Sequence, residues 1–138
     1  ALVSGCPEAD QGAIHSLLAR RRADNLMKSV EKGGKEALTR YRVLQTFPDC
    51  SLLEVEIPTG RSHQIRVHLK EIGHPLLGDT RYGGPDRLGP LSIGRQMLHA
   101  WTIVLPHPVH GDVLKWEAPV PPDMNSLVET FSGSAQAE

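Results

Sequence analysis

The stretch "TRYRVLQTFPDCSLLEVEIP" (39–58) constrains the fold more than any other part of the chain. Its first half, 39–47, is rich in β-branched and aromatic residues. Its second half alternates, with Leu53, Val55 and Ile57 on one face and Glu54 and Glu56 on the other. Only Pro48, Asp49 and Cys50 lie between, so the two segments predict an antiparallel hairpin that turns one face to a core. A second pair of strands is predicted at 96–108 and 112–119, around Gly111. "ALVSG" (1–5) is an apolar run closed by glycine, a further strand. Residues 14–22, ending in "ARRRAD", have poor apolar spacing and predict an irregular excursion, and "EKGGKEA" (31–37) predicts a polar turn.

Helices are few. Ile65, Leu69 and Ile72 recur at i, i+4 and i+7, which predicts a short helix over 62–72 with those three as its buried stripe. Ser62 is its expected N-cap, and Gly73 and Pro75 stop it. "GDTRYGGPDRLGP" (78–90) is turn chemistry in a flexible loop. A last helix opens at Asp123 and puts Met124, Leu127, Val128 and Phe131 on one face. Residues 132–138, "SGSAQAE", predict a frayed, flexible tail. Strands arranged as hairpins, without βαβ alternation, give an α+β domain over 1–131: a mostly antiparallel mixed sheet with a few short helices.

Composition narrows the function classes. A chain of 138 residues can bury one core. No apolar run approaches the ~18 residues of a membrane span, and "ALVSGCPEAD" lacks the pattern of a signal peptide. The chain opens at Ala1 in what reads as mid-strand, so it is expected to be a piece of something longer. Cys6 and Cys50 have no CxxC spacing, which fits a reducing, cytoplasmic setting with an organellar address left open. The formal net charge is −1, so any polyanion would have to meet a local patch.

"TGRSHQIRVHLK" (59–70) is where such a patch would lie. Gly60 and Arg61 sit where a strand turns into a helix, a place suited to anions. Gln64 lies near the same end, with His63 between. Arg66 follows core-facing Ile65, so its guanidinium is partly desolvated and needs a carboxylate or phosphate. Glu71, five residues on, is off that face. A solvated charged face is the plainer reading of these residues taken alone. No metal site is predicted: His63 and His68 do not share a helix face, no HExxH is present, and His107 and His110 only bracket a turn. Nor is there a GxSxG nucleophile or an evident pair of catalytic carboxylates.

The order of these blocks carries more than their composition. "TGRSHQIRVHL", "GHPLLGDTRYGG", "RQMLHA" and "LPHP", with "ALVSG", "ALTRYRVL" and "WEAPVPPDM", together resemble the RluA-type RNA pseudouridine synthases over residues 1–131. The resemblance implies the C-terminal part of that family's catalytic fold. It also implies a cofactor-free isomerisation of uridine in structured ribosomal or transfer RNA. In the family an aspartate in a His-Arg-Leu-Asp block attacks the uridine, and the detached uracil is rejoined through carbon 5. The target base must leave its stack. Arg66 matches the arginine that pairs with that aspartate. Gly60, Arg61, His63 and Gln64 match residues expected to shape the pocket rim and meet backbone phosphate. Asp79 matches a turn aspartate and is expected to serve turn and packing.

No His-Arg-Leu-Asp block occurs in this sequence, and the family's stacking tyrosine would fall two residues before Ala1. The resemblance therefore implies a chain that lacks the N-terminal catalytic portion and is inactive alone. Half a catalytic domain is also expected to expose apolar sheet surface and to associate or be marginally stable. A non-catalytic RNA-binding paralogue is the second reading, and a plain interaction domain without RNA affinity the third.

Overall fold

The computed structural model describes residues 1–106 and 108–136. Residues 1–131, expected to form one domain, divide between two compact units, Ala1–Met97 and Leu98–Glu138.

The first unit is built on a five-stranded antiparallel sheet. Its strands are β1 (Leu2–Ser4), β2 (Gln11–Arg20), β3 (Met27–Val30), β4 (Lys35–Thr46) and β5 (Cys50–Glu56), in the order β1-β5-β4-β2-β3. The predicted hairpin is β4–β5. Its outer face is laced by the pairs Arg40–Glu56 and Arg42–Glu54, each between directly facing residues. The alternation ends sooner than expected: Leu53 is buried, but Ile57 lies past the strand and is exposed.

The predicted excursion at 14–22 is instead a ten-residue strand, β2, and β3 joins it across the basic turn. The inward residues of β2 are Gly12, Ile14, Ser16 and Leu18, partly or fully buried. Two of the four are not hydrophobic, so apolar spacing could not reveal the strand. Ser16 faces a polar network described below.

The second edge of β1 is closed by chain from far along the sequence. Leu2 N–H donates to the carbonyl of Met97, Leu77 N–H to that of Leu2, and Ser4 N–H to that of Pro75. Leu2, Val3, Leu69, Leu76, Leu77 and Met97 are core residues of this unit.

Helix α1 (Gln64–Glu71) is shorter than predicted, and its buried face is shifted. Gln64, Val67, His68 and Leu69 are buried, while Ile65 and Ile72 are only half-buried. The N-cap is His63, in a left-handed conformation with φ 52°, and not Ser62. After α1, the expected flexible loop holds a 3-10 turn (Thr80–Tyr82) and a small hairpin, β6 (Arg87–Leu88) with β7 (Leu91–Ser92). Glycine is required here. A Cβ on Gly84 would stand 1.9 Å from the Leu76 carbonyl oxygen, and one on Gly78 1.9 Å from that of Arg95. These close approaches fold residues 78–84 back toward α1.

The second unit holds the other predicted hairpin, β8 (Thr102–Pro106) with β9 (Val113–Glu117), and helix α2 (Pro122–Gln136). Ile103, Leu105, Leu114 and Trp116 share one face of the hairpin. That face is open, with Ile103 51% and Trp116 52% exposed. In α2, Met124 and Phe131 are buried and Leu127 and Val128 half-buried, the face read from the sequence. The helix continues to Gln136, into the stretch expected to fray.

Candidate functional site

The turn after α1 delivers the carboxylate that the local sequence did not offer Arg66. Asp79 is the only acidic residue between Glu71 and Asp86. Its Oδ2 accepts from Arg66 Nε at 2.9 Å and its Oδ1 from Nη2 at 2.7 Å. The Asp79 side chain is 1% exposed and that of Arg66 14%. Such a bidentate, desolvated pair is both directional and strong. Asp79 also keeps its expected turn role, since its carbonyl accepts from the N–H groups of Tyr82 and Gly84. The Asp79 hydrogen bond, set against some desolvation, raises the pKa of Arg66 further above its ordinary value. Arg66 thus has a carboxylate partner within this chain, supplied by a turn and not by its own helix. The signal was available, an acid in a turn brought back by two glycines, but sequence spacing along a helix could not show it.

Tyr82 ties the site together, and sequence reading passed it over as part of a loop. The Arg66 guanidinium lies 5.1 Å from its ring centroid, a cation–π contact. Its hydroxyl accepts from Met27 N–H at 3.0 Å and bonds His63 Nδ1 at 2.8 Å. The His63 ring meets Tyr82 edge-on, with centroids 5.5 Å apart. Burial first, then the positive charges of Arg66, Arg81 and Arg20, push the pKa of His63 down, with Asp79 opposing. A neutral ring accepting from Tyr82 at Nδ1 carries its hydrogen on Nε2. Its left-handed backbone is uncommon for a residue with a Cβ and costs about 1–2 kcal/mol, held in place here by the Tyr82 bond.

A second network runs behind this cluster. The amide oxygen of Gln64 accepts from Arg61 N–H at 3.0 Å and from the Thr59 hydroxyl at 2.9 Å. Its nitrogen donates to the Leu38 carbonyl at 2.7 Å and to Thr39 Oγ1 at 3.0 Å. All four hydrogen-bonding positions of the amide are thus used inside the chain. Thr39 Oγ1 lies 2.6 Å from His68 Nδ1, and Ser16 Oγ 2.9 Å from His68 Nε2. The Ser16 and Ser29 hydroxyls are 2.8 Å apart, and Ser29 donates to Glu71 at 2.6 Å. A carboxylate only accepts, which orders the rest. Ser16 gives its hydrogen to Ser29, and His68 donates from Nε2 to Ser16. Burial pushes the pKa of His68 down, so the ring is neutral and Nδ1 accepts from Thr39.

The remaining predicted residues are placed as follows. Arg61 donates from Nε to the Glu36 carbonyl at 2.8 Å, next to the start of α1. Gly60 is exposed, and a Cβ there would meet nothing within 4 Å. Arg66 and His63 meet at Tyr82, and Arg61 and Gln64 meet at the strand-to-helix turn. His107 lies outside the described residues. Among the described residues no three His, Cys, Asp or Glu side chains cluster to hold a metal, and no helix is long and apolar enough to cross a membrane.

A family model described as RNA pseudouridylate synthase matches residues 1–71, which includes β1 to β5 and all of α1. The chain belongs to that family. Ribosomal large subunit pseudouridine synthase D of Nitrosomonas europaea is 44% identical over 136 residues, covering 95% of this chain and 39% of that protein. The Bacillus subtilis RNA pseudouridine synthase YlyB is 41% identical over 131 residues, covering 95% of this chain and 42% of its own length. This member of the family therefore spans about two-fifths of those relatives. Among solved structures, human RNA pseudouridylate synthase domain containing 1 matches with a TM-score of 0.73 at 25% identity, over 96% of this chain and 63% of that one. Human RNA pseudouridylate synthase domain containing 4 has the same fold, with a TM-score of 0.77 at 23% identity over 96% and 60% of the two chains.

Proposed function

We propose that this chain is the C-terminal part of an RNA pseudouridine synthase that isomerises uridine in structured ribosomal or transfer RNA, in the cytoplasm. The nucleophilic aspartate and stacking tyrosine come from chain N-terminal to it, and these 138 residues are inactive alone. The observation that carries this reading is the state of Arg66. Asp79 occupies its Nε and Nη2, the Tyr82 ring packs on it, and Nη1 bonds no other described residue. A guanidinium has five donors in a fixed fork, so it can hold one carboxylate side-on and still meet a second at its far edge. In this role Asp79 aims Arg66, and the incoming nucleophile pairs with what remains.

The other family residues take graded parts. Gln64 has no spare hydrogen bond for RNA, so it acts by fixing the backbone of Arg61. Arg61 and His63 meet RNA directly, and Gly60 leaves room for a phosphodiester to approach the helix start. The ribosomal substrate in the name of the Nitrosomonas relative supports ribosomal RNA as the target class. The open apolar face of β8–β9 supports a larger fold into which this chain packs.

The test is pseudouridine formation in uridine-labelled RNA by this chain and by one extended upstream to its natural start. Activity is expected only in the extended form, where Arg66→Ala costs turnover far more than RNA affinity. Activity in neither form moves the assignment to a non-catalytic RNA-binding paralogue. Turnover by the 138 residues alone refutes the account of the absent nucleophile.

A further inference from the structure

Arg40 and Arg42 of the sheet are paired with Glu56 and Glu54, and Arg21 in the turn after β2 with Asp24. Around Tyr82 the pattern changes. Arg20, at the end of β2, faces Met27, the residue whose N–H donates to the Tyr82 hydroxyl. Among the described residues its side chain makes one hydrogen bond, from Nη1 to the carbonyl of Asn25. Arg81 immediately precedes Tyr82 in the 3-10 turn, is exposed, and has no hydrogen bond or ion pair among the described residues. Both, with Arg66, lie within electrostatic reach of the His63 ring. The one carboxylate of this cluster, Asp79, is engaged at both oxygens by Arg66. A chain of net charge −1 thus gathers three guanidiniums against one acid, on three different elements.

Exposed arginines are commonly just solvated, and convergence is what argues otherwise. Tyr82 fixes the geometry at one point through Met27, His63 and Arg66 together. His63 sits among the arginines in an unfavourable left-handed backbone, where a neutral ring supplies an N–H without adding a fourth positive charge. Uncompensated guanidiniums beside a neutral donor are the chemistry that recognises a phosphate ester.

We propose that Arg20 and Arg81, with the Nε2–H of His63, form a phosphate-binding site for the RNA backbone, in addition to the Arg61 contact at the start of α1. It rests on the RNA reading above and extends it to two arginines outside the helix block. Backbone contacts of this kind set the register of the strand while leaving its sequence unread. The basic turn after β2 and the 3-10 turn therefore act as one clamp beside Arg66.

The experiment measures binding of the 138-residue chain to a fluorescein-labelled RNA stem-loop with uridines in its loop, by anisotropy across KCl concentrations. Arg20→Gln and Arg81→Gln are each expected to flatten the salt slope by about one unit, and the double variant by about two. Arg40→Gln makes the same change of charge on the outer sheet face and leaves the slope unaltered. A urea midpoint for each variant separates lost contacts from lost folding, and the two positions test the site independently. Slopes matching Arg40→Gln overturn the proposal, as does an absence of RNA binding by the wild-type chain. The isomerase reading is judged separately by pseudouridine formation in the extended protein. Altered slopes with no isomerase activity there would keep the clamp and discard the enzyme.

Discussion

Arg66→Ala tests whether the Asp79 pair is part of the stability of this chain or only a feature of catalysis. Truncation removes two charge-assisted hydrogen bonds, at 2.9 and 2.7 Å, and leaves a carboxylate that is 1% exposed without its counter-ion. Breaking a buried pair from one side typically costs about 3–5 kcal/mol, because the orphaned charge stays desolvated. Asp79→Asn is gentler. Arg66 is 14% exposed and can recover some water, and the amide oxygen still accepts one bond, so about 1.5–3 kcal/mol is expected. The double variant removes both charges, and its loss should fall short of the sum by a coupling of about 1–3 kcal/mol. Urea unfolding of the wild type, both single variants and the double variant gives all four values, provided the m-value is unchanged. A loss below about 1 kcal/mol for Arg66→Ala, with no coupling, would put the pair among solvated surface contacts. The proposal that Asp79 aims Arg66 would then fail with it.

Three further outcomes follow from other parts of the molecule. His63 and His68 both have pKa values lowered mainly by burial, so the native state resists protonation. Their contribution to stability is complete above the ordinary value near ~6.5 and is lost as pH falls through the lower native values. Urea midpoints from pH 8 to 5 should fall on the acid side, and His68→Gln should flatten that fall; an unchanged slope would contradict a buried neutral His68. Gly84→Ala must displace the Leu76 carbonyl, 1.9 Å from the new Cβ, and should cost about 1–3 kcal/mol or more by thermal unfolding. A neutral effect would mean that the 78–84 turn yields easily. Burial, with the charge of Asp49, pushes the Cys50 thiol up to about 11, whereas Cys6 is exposed. Iodoacetamide at pH 8 should label one cysteine in the native chain and two in urea, and two in the native chain would show an open β5.

The parts of the fold legible in the sequence are those where burial is apolar. The β4–β5 and β8–β9 hairpins and the Met124–Phe131 face of α2 all follow periodicity that hydrophobic residues carry. β2 and β3 did not show because their inward hydroxyls, Ser16 and Ser29, bond His68 and Glu71 in place of packing against a core. The same network misplaced the buried face of α1. Gln64 and His68 are buried because their hydrogen bonds are satisfied inside, while the more hydrophobic Ile65 and Ile72 stay half in solvent. Within the site, the helix block was visible as a motif, but what surrounds it was not. Asp79, Tyr82, Arg20 and Arg81 reach it through a turn and a strand end, which no single periodicity encodes.

The closure of β1 sets a schedule for the ribosome. Its first edge pairs with β5 about 50 residues later, through partners such as Leu2 and Leu52. Its other edge is completed by the segment 75–77 and, for the amide of Leu2, by Met97. At roughly 5–20 residues per second, the interval between synthesis of Leu2 and of Met97 is about 5–20 s. During that time a strand with two core residues, Leu2 and Val3, has one edge unpaired, and contacts of such long sequence separation also form slowly once all partners exist. β1 is thus enclosed only after every other strand of its sheet has been made, so nascent chains of this unit are most open to chaperones, or to each other, at β1.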